Sequence, residues 1–377
     1  MKIRNISAVN FRNYKTLQLE TAAMTNVFYG QNAQGKTNIL EAVFYGAFGM
    51  SHRTSSEDEL LQIGCKEMAV GIGYSSFGGE HEIRLKKYQQ QGRNKKDILL
   101  DGIKVRPKEH YGSLNVVMFS PEDLQLVKGE PALRRRFLDM QIAQTDPVYY
   151  DLLVKYNRVL QQRNKLLKEI REAAGIDINS QLPIWNRELS VLAAAVVRKR
   201  LEALVKLQQI AGDIYASITG NKEKLTVRYE LKANNSQWLY PDGSQNDWED
   251  FFAKGLRERE QLDILRGNTG LGPHRDDMGL LLDGNSLKAF GSQGQQRSGA
   301  LALKLSQLEY VRQEIGEFPV LLLDDVMSEL DAGRRAQMLQ FIDGRVQTFI
   351  TVNDRELIPE LAGCVYYEIV QGTIRMA

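Results

Sequence analysis

The stretch Gly30-Gln31-Asn32-Ala33-Gln34-Gly35-Lys36-Thr37 fills every fixed position of G-x-x-x-x-G-K-[ST]. In such a loop the backbone N–H groups wrap phosphates and the glycines permit close approach. The helix opening at Lys36 adds the positive end of its dipole. Lys36 supplies a point charge for the β and γ phosphates, and Thr37 offers a hydroxyl to Mg²⁺, which takes oxygen ligands. The surroundings agree. Val27-Phe28-Tyr29 before the loop reads as a short buried strand, and Ile39, Leu40, Val43 and Phe44 after it fall at helical spacing. Strand, phosphate loop and helix together predict an α/β nucleotide-binding domain.

Working outward, the matching acids come late in the chain. Pro319-Val320-Leu321-Leu322-Leu323-Asp324-Asp325 is a near-continuous apolar run ending in two carboxylates, as a strand buried on both faces would end. In P-loop ATPases the first such acid, here Asp324, holds Mg²⁺, and Asp325 is placed to orient an attacking water or take its proton. Between loop and acids, Ser292-Gln293-Gly294-Gln295 precedes a helix carrying Ala300, Leu301, Leu305, Leu308 and Val311. Ser292 reads as its N-cap, and Gly294 leaves room for a phosphate.

Elsewhere the first thirty residues and the segment from about 68 to 119 read as strands. Asp101-Gly102, between Ile98, Leu100 and Ile103, Val105, is a two-residue hairpin signal. From Asp151 to Ile170 an apolar stripe at helical spacing includes one arginine, Arg163. A loop at 173–183 and a second helical stripe from Trp185 to Ile214 complete an antiparallel helical hairpin. Strand character resumes at Leu225–Leu231, and 233–247 reads as a polar loop. The expected architecture is an α/β head formed by 1–120 and 221–377, interrupted by a mainly helical lobe at 121–220.

The 377 residues carry 49 basic and 47 acidic side chains. This excludes a polycation and an acidic tail, but not a local basic face. Nine Lys or Arg against four acids lie between His81 and His110, with Lys86, Lys87, Arg93, Lys95 and Lys96 around a hairpin tip. Arg134 to Arg136 and Arg198-Lys199-Arg200 form further clusters. Contacts from such clusters to nucleic acid would be to the backbone, without sequence specificity and weakened by salt. Four histidines (52, 81, 110, 274) lack ligand spacing for a metal site. Two cysteines, Cys65 and Cys364, give no disulfide framework and fit a reducing cytosol. No apolar run reaches the roughly 18 residues of a membrane-crossing helix.

The order P-loop, Ser-Gln-Gly-Gln, acidic strand, Ser328-Glu329-Leu330-Asp331 and Phe349-Ile350-Thr351-Val352-Asn353 resembles the heads of ABC-type ATPases. In that superfamily the signature of one subunit closes over the γ-phosphate held by the P-loop of another. The resemblance implies Lys36 and Asp325 as catalytic residues, with Ser292 and Gly294 completing the site in trans. It implies Thr37 and Asp324 at Mg²⁺, and Asp331, in a D-loop, near the nucleotide. Arg12 is either a contact to adenine or phosphate, as in related heads, or a plain surface arginine.

Within the superfamily the chain resembles the RecF family of bacterial recombination proteins. The strings that carry this are Asn10-Phe11-Arg12-Asn13-Tyr14, His52-Arg53-Thr54, Phe119-Ser120-Pro121-Glu122-Asp123-Leu124, Arg134-Arg135-Arg136-Phe137-Leu138-Asp139 and Gly272-Pro273-His274-Arg275-Asp276-Asp277. They span the chain. Asp325 replaces the Glu of general ABC heads, as is usual in RecF, and no His marks the switch position near Thr351 to Asn353. The glutamine expected at a strand end has no obvious counterpart; Ser120 and Gln125 are the nearest polar residues. These departures imply a weak Mg²⁺-dependent ATPase, with ATP acting mainly as a dimerisation ligand. The resemblance further implies a cytoplasmic DNA-repair role, without a membrane. An ATP-dependent homodimer would bind gaps or single-strand/duplex junctions, act with RecR and RecO in RecA loading, and support replication and the SOS response. The alternative is the nucleotide-binding subunit of an ABC transporter, against which the helical hairpin argues.

Overall fold

The computed structural model describes residues 1–21, 23–172, 181–232, 238–241, 247–358 and 363–376. The chain divides into two compact units: Met1–Asp123 with Gln307–Ala377, and Leu124–Ser306.

The first unit holds two six-stranded sheets. One contains β1 (Lys2–Phe11), β2 (Tyr14–Glu20), β4 (Glu67–Ser76), β5 (Gly79–Gln90), β6 (Arg93–Leu100) and β7 (Ile103–Lys104), antiparallel throughout in the order β2-β1-β4-β5-β6-β7. Its last turn is the one read from Asp101-Gly102. Both residues have positive φ, and Leu100 pairs with Ile103. The other sheet places β3 (Thr25–Tyr29) between β14 (Thr348–Val352) and β15 (Cys364–Val370). β13 (Val320–Asp324) and β8 (Val116–Phe119) continue its parallel core, and β16 (Thr373–Met376) pairs antiparallel at the other edge. All five residues of β13 are buried, as expected of a strand covered on both faces. Helix α1 (Lys36–Phe48) packs against strands of both sheets, which is why it is apolar nearly all round. A Cβ on its Gly46 would lie 2.6 Å from the Ile72 side chain, so only glycine allows that approach.

The second unit contains the expected helical hairpin, Pro147–Glu172 and Leu182–Thr219, packed on one another. Leu166, Leu167 and Leu182 bury together near its turn. The unit does not end at 220. Strand β9 (Leu225–Lys232) pairs with β11 (Asp277–Leu282) in a four-stranded antiparallel sheet completed by β10 (Trp238–Leu239) and β12 (Asn285–Ser286). β9 and the helix Trp248–Glu258 pack on the long helix Leu182–Thr219, so 221–306 belong with the helical lobe rather than with the head. The expected loop at 233–247 thus includes the short strand Trp238–Leu239, and most of the rest, like most of 173–183, lies outside the described residues.

One arginine in each of two basic clusters lies inside the unit, while Arg136 and Arg198 stay exposed. Arg134 is buried and grips Asp277 through two nitrogens, at 2.7 and 2.8 Å. Arg200 is buried against Asp139, the Tyr229 hydroxyl and the Pro273 carbonyl. Both hold the second unit together and neither offers a surface charge. In the first unit Lys87 binds Asp58 at 2.5 Å, and Lys96 binds Glu57 and the Gly49 carbonyl. Lys86, Arg93 and Lys95 remain exposed on the β5–β6 hairpin.

Candidate active site

The phosphate loop leaves β3 and enters α1 through backbone that only small residues take comfortably. Gly30 has φ 144° and Gly35 φ 114°. A Cβ on Gly30 would lie 2.5 Å from the Ile369 carbonyl oxygen, and one on Gly35 would lie 2.9 Å from the Tyr14 hydroxyl. The loop is braced from two sides. The Asn13 amide donates to the Gln34 carbonyl at 3.1 Å, and the Tyr14 hydroxyl donates to the Gly35 carbonyl at 3.2 Å. From the β15–β16 turn, the Gln371 N–H donates to the Gln34 side chain at 2.6 Å and the Gly372 N–H to its carbonyl at 3.1 Å. Sequence reasoning gave Asn13 and Tyr14 no role beyond their motif. It missed the Gln371 turn, whose link to Gln34 spans 337 positions.

Lys36, at the helix start, is buried. Its ammonium donates to the Gly30 carbonyl, to the Gln31 carbonyl at 3.0 Å and to Asn353 Oδ1 at 2.8 Å. Every one of these acceptors is neutral. Burial draws its pKa below the lysine range, against the opposing pull of Asp325 and Asp324. Thr37 donates to Asp324 Oδ1 at 2.8 Å. Thr351 on β14 donates to the same oxygen at 2.7 Å and accepts from the Asp325 N–H at 3.0 Å. Burial raises the Asp324 pKa above the carboxylate range, although Thr351 and Thr37 act the other way.

A hydroxyl and a carboxylate in hydrogen-bond contact, beside a loop shaped for phosphate, suit Mg²⁺. That ion characteristically takes one or two protein oxygens and completes its shell with phosphate and water. Asp325 turns out of β13 with φ 53°. Its carboxylate accepts from Ser328 Oγ at 3.2 Å and from Asn353 Nδ2 at 3.4 Å. Asn353 therefore links Lys36 to Asp325, at the strand end where the sequence offered no histidine.

Two expected nucleotide contacts are occupied otherwise. Arg12 forms a two-pronged pair with the fully buried Glu41 of α1, at 2.8 and 2.7 Å, and its third nitrogen donates to the Glu59 carbonyl. Burial works to raise the Glu41 pKa, but hydrogen bonds from Arg12 and Ser51 and the nearby charge of Arg53 bring it below the usual range. Asp331 accepts from the Arg334 N–H at 3.0 Å and caps the helix Ala332–Ile342.

Ser292 and Gly294 belong to the second unit. Ser292 and Gln295 form a reciprocal cap on the helix Gln293–Ile315. The Gln295 N–H donates to Ser292 Oγ at 3.3 Å, and the Ser292 N–H donates to Gln295 Oε1 at 2.7 Å. The serine is exposed. The Gly272–Asp277 string serves the same unit's interior: the His274 ring bonds Tyr156, and Asp276 accepts from the Tyr229 hydroxyl.

Fold and site together define a P-loop ATPase with an ABC-type head. The family model described as "RecF/RecN/SMC N terminal domain" matches residues 2–373. DNA replication and repair protein RecF of Halalkalibacterium halodurans is 37% identical over 378 residues, covering 100% of this chain and 99% of the relative. The protein of the same name from Bacillus subtilis is 40% identical, covering 93% of each. A solved structure of the recombination mediator protein RecF-ATPrS in the RecFOR pathway matches with TM-score 0.89 at 34% identity, over 99% of this chain and 97% of that one. An SmcHead structure matches at 14% identity with TM-score 0.55, a likeness of fold alone. The chain belongs to the RecF family.

Proposed function

We propose that the chain is an ATP-driven clamp of recombinational DNA repair, in which ATP bridges two copies. The observation that carries this is the pairing of a buried lysine held only by neutral oxygens with a buried aspartate held by two hydroxyls. Neither charge is neutralised by its hydrogen-bond partners, and a nucleotide with its metal would satisfy both. ATP would lie with its phosphates along 30–37. Lys36 would exchange the Gly30, Gln31 and Asn353 oxygens for phosphate oxygens, and the loop N–H groups would donate to the rest. Thr37 and Asp324 would hold Mg²⁺, which when bound neutralises phosphate charge. Asp325 would orient water and take its proton, with Asn353 in the switch position. Ser292 and Gly294 of a second copy would close the site. Arg12 would act through Glu41 in fixing α1, and Asp331 would shape the turn after the acidic strand.

The same reading gives the clamp DNA gaps or single-strand/duplex junctions as substrate, RecR and RecO as partners, RecA loading as outcome and the cytoplasm as location. It is supported by the family and by relatives named for DNA replication and repair. Lys86, Arg93 and Lys95 are the exposed bases suited to backbone contact in the first unit.

The test is self-association with ATP and Mg²⁺, with and without gapped DNA, for the parent chain and for Lys36→Met and Ser292→Arg. The reading requires ATP-dependent dimers that both substitutions abolish. A chain that stays monomeric with ATP would overturn it. Dimers indifferent to gapped DNA at low salt would keep the clamp and remove the repair role.

A further inference from the structure

The signature serine is the end of a hydrogen-bond relay that starts inside the second unit. Tyr215, fully buried on the long helix Leu182–Thr219, donates its hydroxyl to Glu223 Oε2 at 3.0 Å. Glu223 lies in the connection to β9, and its other oxygen accepts from Gln295 Nε2 at 2.5 Å. That bond dictates which way the Gln295 amide faces. With its NH₂ on the carboxylate, its oxygen is left to accept from the Ser292 N–H, as found at 2.7 Å. The Gln295 N–H meanwhile donates to Ser292 Oγ. The hydroxyl oxygen is therefore an acceptor inside the cap, and its own proton is free to point outward. A serine so arranged is a donor ready for an anionic oxygen, which is the chemistry a γ-phosphate would meet.

We infer that Glu223 is a positioning residue for the signature: it fixes the Gln295 amide so that Ser292 presents its O–H as a donor to the nucleotide of the opposite copy. This rests on the ATP-bridged clamp proposed above. Glu223 and the phosphate loop belong to different units, so its loss should weaken closure without loosening the loop's grip on ATP. A charged hydrogen bond replaced by none leads to an expected loss of about tenfold in ATP-driven self-association for Glu223→Ala. Glu223→Gln keeps an acceptor oxygen for the Gln295 amide and should recover most of the affinity.

The experiment compares Glu223→Ala, Glu223→Gln, Gln295→Ala and the Glu223→Ala/Gln295→Ala pair in the full chain. Sedimentation velocity with ATP and Mg²⁺ gives association, and fluorescent-ATP titration of the dilute monomer gives loop affinity. Hydrogen exchange at the 292–296 amides of the nucleotide-free chain reads the relay itself. Expected are weaker association for either single alanine variant, a double no worse than Gln295→Ala, unaltered monomer ATP affinity in Glu223→Ala, and faster exchange at Ser292 in Glu223→Ala. Additive losses in the double variant, or parental association in Glu223→Ala, would overturn the assignment. So would a parent chain that does not associate with ATP. In that case faster exchange in Glu223→Ala would show that the relay exists and that the clamp reading is what failed.

Discussion

The interior of the second unit and the phosphate-loop site of the first treat buried charge in opposite ways. In the second unit buried cations meet carboxylates. Arg163, with no exposure in an otherwise apolar helix stripe, bonds Asp263 at 2.9 Å and also Thr269 and Asn186. Arg134 meets Asp277 and Arg200 meets Asp139 in the same manner. In the first unit the phosphate loop holds Lys36 on neutral oxygens, and Asp324 is held by hydroxyls. Paired charges lock a scaffold, because removing one partner strands the other in a low-dielectric interior. Charges held by neutral groups cost stability but keep their attraction for a ligand. The lobe is thus arranged for rigidity and the loop for binding.

Substitutions in the two regions should therefore separate activity from stability. The largest effect is expected at Asp325→Asn, which should lower ATP turnover by about 10²- to 10⁴-fold while leaving the thermal midpoint close to the parent's. A phosphate-release assay paired with calorimetry checks both. Next comes Arg163→Met, which strands Asp263 and should cost about 3–5 kcal/mol of unfolding free energy, read by denaturant titration. If it costs no more than an exposed substitution, the locked-scaffold half of the contrast fails.

Asp324→Asn should move stability the other way. Its folded pKa is raised by burial, so the unfolded chain ionises first as pH rises, and ionisation favours unfolding. Without nucleotide or Mg²⁺, the asparagine variant should melt higher than the parent at pH 7. That gain should vanish below about pH 3.9, where both forms of the parent's aspartate are protonated. A lower midpoint at pH 7 would mean that the hydroxyls of Thr37 and Thr351 fully compensate the charge. The smallest effect is expected at Asp331→Ala, a lost helix cap worth about 1 kcal/mol, visible as a small drop in thermal midpoint.

What could be read from the sequence was set by range. The phosphate loop, the apolar strand ending in Asp324, the Ser292 cap and the Asp101-Gly102 turn are each written within a few neighbouring residues, and all appear where the residues placed them. The misread features depend on partners far along the chain. Arg134 looked like surface charge because Asp277 lies 143 positions away, and Arg200 because its tyrosine and carboxylate partners come from three other segments. The boundary expected at 220 falls too early because periodicity identifies a strand at Leu225 without saying that it packs on the long helix Leu182–Thr219. Arg12 was legible as a motif residue, but its commitment to Glu41 followed only from the packing of α1 against β1. Arg163, the lone charge in an apolar stripe, was a visible signal of a buried ion pair.

In the proposed clamp one copy's phosphate loop works with another copy's signature. Mixing tests it directly. Lys36→Met lacks a working loop and Ser292→Arg lacks a working signature, so each alone should be nearly inactive in ATP turnover. An equimolar mixture forms heterodimers in which the loop of one variant faces the intact signature of the other. Turnover should reappear in the mixture, well above the sum of the two variants. Turnover equal to that sum, with heterodimers present by sedimentation, would rule out a site shared between copies.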